Sequence, residues 1–211
     1  MVNTDVLKQF GIIPIDIATL KAALDGYKST KDKIASLEHS GFVIRLKRGV
    51  FVVSPKVHHK PLSKELIANH LYGTSYISLH TALSFYGLIP ERVTTVSSVS
   101  TKRSHSIQNS VGNFDFVAAK LSYFSIGVRQ EIVNNEYAFL IATPEKALCD
   151  IIVQTKGIKL QSIKAMRNFI ENDMRIDLSV FEHYNIEIVK ECINVSTKKR
   201  ELTLLYKLLE E

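Results

Sequence analysis

The stretch FVIRLKRGVFVVSP, residues 42–55, sets Arg45, Lys47 and Arg48 beside a single glycine, between two runs of strand-forming apolar residues. Phe42, Ile44 and Leu46 alternate with Val43, Arg45 and Lys47, which predicts a strand with two distinct faces. Gly49 supplies the positive φ at which the chain reverses, so the stretch reads as a β-hairpin. A hairpin needs no charge in order to turn. Three cations this close repel one another unless an anion lies beside them, and the segments on either side indicate which anion that is.

Immediately before the hairpin, Asp16 has the character of an N-cap, with Ile15 and Leu20 spaced to form a hydrophobic staple. A helix is predicted over 17–24, ending at Asp25-Gly26. In STKD, residues 29–32, Ser29 and Asp32 have capping-box spacing, and the helix they open runs to about Ser40, where Gly41 can take the left-handed conformation. Thr30, Ile34 and Leu37 share one face of this helix. Ser29, Asp32, Ser36 and His39 point the other way, flanked by Lys31 and Lys33. With an earlier helix near 4–10, the order is helix, helix, turn, helix, hairpin, which is that of a winged helix-turn-helix over residues 1–57. In such a module the second helix of the pair enters the DNA major groove and the hairpin rests on the adjacent backbone. Phosphate is then the anion that the hairpin cations await. The alternative is a winged helix used for protein contact, with Lys47 and Arg48 merely solvated.

Charge is distributed unevenly along the 211 residues. Residues 1–60 hold ten Lys/Arg against five Asp/Glu, a net of +5, and the remaining seventeen against sixteen add +1, giving the total of +6. Residues 171–211 alone hold nine acids against six bases. A basic end on a near-neutral body with an acidic tail suits a nucleic-acid or acidic partner at the N-terminal end.

SPKVHHKPLSKE, residues 54–65, has two prolines, charge and no apolar periodicity, and reads as a linker to a second domain over 61–211. There Ser63 caps a predicted helix to about 72, a short strand leads to a helix capped by Ser78 with Gly87 as its stop, and Pro90 marks a turn. Strand patterns follow at 93–101, 104–110, 113–119, 125–133 and 137–141, with Gly112 and Asn134-Asn135 as turn signals, giving an antiparallel sheet in outline. The period changes at ATPEKALCDIIV, residues 142–153. There Thr143 is placed to cap, Pro144 to occupy the first helical position and Glu145 to complement the helix dipole. Helices are predicted over 160–172, 178–184, 186–193 and 198–209. The fold class is α+β with a helical C-terminus.

Cys149 and Cys192 form no CxxC pair, which fits a reducing, cytoplasmic setting. No apolar run reaches the roughly 18 residues of a membrane span, and the polar start lacks a signal-peptide pattern. His58-His59 has no Cys or acidic partner at ligand spacing, and His70 and His80 fall on different elements, so no metal is expected. Cys149 lies among Ala147, Leu148, Ile151 and Ile152, as a buried thiol does. Phosphate-loop, dinucleotide and nucleophile-elbow motifs are missing. Ser78, His80 and Asp150 can be drawn as a triad, but no spacing fixes their geometry. Neither enzymatic activity nor a cofactor is expected.

Four ordered segments carry a resemblance: GFVIRLKRGVFVVS (41–54), YISLHTALSFYGLIP (76–90), TPEKALCDII (143–152) and FIENDMRID (169–177). Together they resemble the AbiEi family of antitoxins from bacterial type IV toxin-antitoxin systems, through nearly the whole chain. The resemblance implies a transcriptional autorepressor that binds promoter repeats through its N-terminal domain. It also implies a larger domain that counteracts a nucleotidyltransferase toxin without a stable complex, and Lys102, Arg103 and Lys120 as additional DNA-facing residues. From the residues themselves, Arg45, Lys47 and Arg48 are expected on phosphate. Lys28, Lys31 and Lys33 are expected to anchor the helix, and Ser29, Asp32, Ser36 and His39 to face base edges.

Overall fold

The computed structural model describes residues 5–158 and 160–211. The chain begins with α1 (Asp5–Lys8), β1 (Ile15–Asp16), α2 (Ile17–Ala23), α3 (Thr30–His39), β2 (Val43–Lys47) and β3 (Val50–Val53). Thr4, at the start of the first predicted helix, lies outside the described residues. Asp16 accepts a hydrogen bond from the Thr19 amide at 2.7 Å and Ser29 one from the Asp32 amide at 3.3 Å, so both caps form where their residue types demand. Gly41 and Gly49 take the positive φ that the helix stop and the hairpin turn need, 68° and 79°. The three strands form an antiparallel sheet in the order β1-β3-β2. Leu7, Leu20, Leu24, Ile34, Leu37 and Phe51 close a small core beneath it.

The second unit contains α5 (Lys64–Leu71), reached through the short helix α4 (Pro55–His58), and then β4 (Ser75–Ile77), α6 (Leu79–Phe85), β5 (Thr95–Ser100), β6 (His105–Gln108) and β7 (Asn113–Ala118). It continues with α7 (Leu121–Phe124), β8 (Val128–Val133), β9 (Tyr137–Ala142) and α8 (Pro144–Gln154). The end is helical: α9 (Ile163–Asn168) runs into a π-turn over Phe169–Asp173, a 3₁₀ segment spans Leu178–His183, and α10 (Glu187–Val195) and α11 (Lys199–Leu209) follow. The predicted single helix over 160–172 is thus divided, because the Met174 amide reaches back five residues to the Phe169 carbonyl at 3.0 Å.

The sheet corrects the antiparallel expectation. Its six strands lie in the order β6-β7-β5-β4-β9-β8, and two of the pairs, β5 with β7 and β4 with β9, are parallel. Alternation along a strand reports which face is buried and not which neighbour lies beside it, so strand direction was not legible. Two local readings also change. The segment predicted as linker contains a capped helical turn, Ser54 accepting from the Lys56 amide at 3.3 Å, with Val57 buried in the small core. Ser78 precedes α6 without capping it, since its hydroxyl is engaged elsewhere.

The β2–β3 hairpin lies between two cores. Val43, Phe51 and Val53 pack into the small core, whereas Leu46 and Val52 belong to the large one. Strand alternation lets each strand serve both sides, with Ile44, Leu46 and Val52 toward the large core and Val43, Phe51 and Val53 toward the small one, and a register shift falls between Arg45 and Lys47. The Asn109 side-chain amide donates to the Leu46 carbonyl at 3.0 Å and the Lys47 ammonium donates to the Leu71 carbonyl, fixing the hairpin's back to the larger unit. A division at residues 57 to 61 therefore separates the chain, but not the packing.

Candidate nucleic-acid interface

On α3, burial follows the helical period. Ile34 and Leu37 are buried, while Lys31, Asp32, Ser36 and His39 are exposed, so the polar face read from the sequence is at the surface. Lys28 and Ser29 are exposed where the chain enters the helix, the Ser29 oxygen accepting the cap hydrogen bond and keeping its own proton to donate. Lys33 is half-buried, its ammonium 4.4 Å from the centre of the Tyr27 ring. The sequence reading did not include Tyr27, an exposed aromatic beside two lysines that could have been noticed from its neighbourhood alone.

The three hairpin cations are not equivalent. Arg48 is exposed on the turn. Arg45 instead makes a two-pronged contact with Glu38 of α3, Nε to Oε1 at 2.7 Å and Nη2 to Oε2 at 2.5 Å, with its guanidinium 4.9 Å from the Phe51 ring centre. This contact raises the guanidinium pKa further and ties the helix to the hairpin. Lys47, bonded to Leu71, braces the hairpin against the larger unit. Glu38 is the residue whose role the sequence concealed: its seven-residue separation from Arg45 matches no helical or strand pairing rule.

Tyr72, next to Leu71 in the chain, meets two of the residues expected to face DNA from the larger unit. The Tyr72 hydroxyl donates to the Arg103 carbonyl at 3.0 Å, and the Lys102 ammonium lies 5.4 Å from the Tyr72 ring centre. Ser100 is opposite Ala118 in the parallel β5–β7 pair, which brings Lys102, Arg103 and Lys120 to one end of the large sheet, all exposed.

A different polar cluster lies inside the larger unit. Lys146 and Asp150, one turn apart on α8, are fully buried and paired at 3.3 Å. Asp150 accepts from the hydroxyls of Tyr76 at 3.0 Å and Ser78 at 2.6 Å, and Lys146 donates to the Tyr123 carbonyl at 2.9 Å. Burial beside this carboxylate pushes the Tyr76 and Tyr123 hydroxyls well above the ordinary tyrosine range, and burial likewise pushes the Cys149 thiol up. His80 is exposed and takes no part, so Ser78, His80 and Asp150 form no relay. All four polar side chains of the network, Lys146, Asp150, Tyr76 and Ser78, are closed to solvent, and their arrangement fastens β4, α7 and α8 together. Among the described residues no three His, Cys, Asp or Glu side chains converge as metal ligands, and no helix is long and apolar enough to cross a membrane. No protein-family model and no curated protein matches the chain.

Proposed function

We propose that residues 1–57 form a winged helix-turn-helix that binds duplex DNA, with α3 in the major groove and the β2–β3 turn against the backbone, and that the chain represses transcription as an antitoxin of the AbiEi type. The observation that carries this reading is the exposed face of α3, where Asp32, Ser36 and His39 are flanked by Lys28 and Lys31 at the basic end of the chain. Short polar side chains reach base edges, and flanking lysines hold phosphate. Arg48 and, through the larger unit, Lys102, Arg103 and Lys120 extend the cationic surface. Arg45 and Lys47 position the hairpin in this reading; they contact phosphate only by giving up Glu38 and Leu71.

The second reading, a winged helix that grips a protein, draws on those same two internal contacts, which leave the hairpin with one uncommitted cation. A band-shift titration of the full chain on its own promoter fragment, with excess random duplex as competitor, separates the two. Retention of the promoter complex supports DNA recognition, and equal loss on both duplexes rejects it. The antitoxin part has its own test. A Lys31→Glu, Arg48→Glu chain should fail to repress yet still protect cells that express the cognate nucleotidyltransferase toxin. Loss of protection together with repression, in a folded variant, would place antitoxicity in DNA binding.

A further inference from the structure

We propose that β8 is a self-pairing edge through which two copies of this chain join their large sheets into one. β8 is the last strand of the six-stranded sheet, with β9 on one side only. In its antiparallel register Val128 is opposite Ala142 and Val133 opposite Tyr137, and the Thr143 amide bonds the Gly127 carbonyl at 2.8 Å. Antiparallel ladders alternate, so Gly127, Arg129, Glu131 and Val133 turn their main-chain groups toward β9, while Val128, Gln130 and Ile132 turn theirs to the open edge. Ile132 is 60% exposed, and Leu140, opposite Gln130 on the neighbouring strand, is 40% exposed. The strand has no proline and no bulge, two of the devices that ordinarily blunt an edge.

What identifies the occupant is the order Val-Arg-Gln-Glu-Ile over residues 128–132, which is complementary to its own reverse. Pairing two β8 strands antiparallel about Gln130 sets Val128 against the partner's Ile132, Gln130 against the partner's Gln130, and Arg129 against the partner's Glu131. The even-numbered residues then exchange both main-chain hydrogen bonds, which is the phase their outward groups require. The charged residues fall at the non-hydrogen-bonded positions, where facing side chains come closest. Shifting the axis by one residue sets Arg129 against Arg129 or Glu131 against Glu131, so the same charges oppose the neighbouring registers. Within one copy Arg129 and Glu131 already pair at 2.7 Å, and the assembly exchanges that contact for two between copies. The β8 edge belongs to the six-stranded sheet and includes no residue of α3 or the hairpin.

Edge pairing buries little surface, so the assembly should be weak and is best sought by sedimentation of the full chain at about 100 µM. A dimer is expected for the unmodified chain. Arg129→Glu and Glu131→Arg should each sediment as monomers alone, because like charges then face across the axis. An equimolar mixture of the two should regain the dimer, since each supplies what the other needs. Internal repair cannot explain that recovery, as the Arg129–Glu131 contact is broken in both chains. Gln130→Pro, which removes an outward amide and no β9 hydrogen bond, should also give a monomer of unchanged thermal stability. A monomeric unmodified chain, dimers that survive Gln130→Pro, or a mixture that stays monomeric would each overturn the proposal.

Discussion

Two ion pairs, one in each part of the molecule, use charge in opposite ways. Arg45 and Glu38 meet at 2.5 Å on the surface of the N-terminal module, with half of the arginine side chain still exposed. Lys146 and Asp150 meet at 3.3 Å with no exposure at all. Water competes for the first pair, so it contributes little to stability and its members can exchange partners. The second pair left water when the chain folded and must keep every contact it has. The Arg45–Glu38 pair thus keeps its charge within reach of solvent, and the Lys146–Asp150 pair keeps its charge where only the fold can use it.

The largest expected effect breaks the buried side of that contrast. Asp150→Ala leaves the Lys146 ammonium unpaired in the core and removes the acceptor of Tyr76 and Ser78, which should cost about 3–5 kcal/mol in denaturant unfolding. A loss below about 1 kcal/mol, the range expected for Glu38→Ala, would erase the distinction between the two pairs.

Next comes the hairpin, which belongs to both regions. Leu46→Ala should cost about 2–5 kcal/mol, because the side chain lies in the large core although its strand belongs to the small sheet. Arg48→Ala, two residues away on the exposed turn, should change stability by no more than about 0.5 kcal/mol. If Leu46→Ala behaved like Arg48→Ala, the hairpin would not be docked on the larger unit.

Smaller effects concern DNA and leave stability alone. Ser36→Ala and His39→Ala should each weaken promoter binding relative to random duplex by about 1–3 kcal/mol where the side chain bonds a base edge. Equal weakening on both duplexes would assign these side chains to the backbone. The smallest effect should come from Glu38→Gln, which releases Arg45 without removing it. The salt dependence of DNA binding should steepen by about 0.9 in log-log slope, the increment for one additional phosphate, and an unchanged slope would mean that Arg45 remains turned away from DNA.

Legibility in the sequence followed the range of the interactions. The Asp16, Ser29, Ser63 and Thr143 caps were readable because each bonds an amide three residues on. The polar face of α3 was readable because Ile34 and Leu37 repeat at the helical period. Strand neighbours were not, since the parallel pairing of β5 with β7 is established between segments that each look alike from inside. Nor was the commitment of Arg45 to Glu38 or of Lys47 to Leu71, where a cation that looks free in sequence is occupied by a partner brought from another element. Gly127 is a further case. It reads as an ordinary glycine, yet at φ 59° an added Cβ would approach Ile188 at 2.7 Å and Lys146 at 2.8 Å, contacts that only the packed helices create. Elements and exposed faces are local properties, whereas pairing and the availability of a charge are tertiary ones.

The most direct test of the N-terminal module as a DNA-binding surface is the affinity of the unmodified chain for its own promoter duplex, measured across a series of salt concentrations. Neutralisation of roughly 4–6 phosphates by the exposed lysines and Arg48 should give a log-log slope of about −4 to −5. A flat dependence, or no binding at low salt, would contradict DNA recognition and leave the exposed face of α3 to a protein partner.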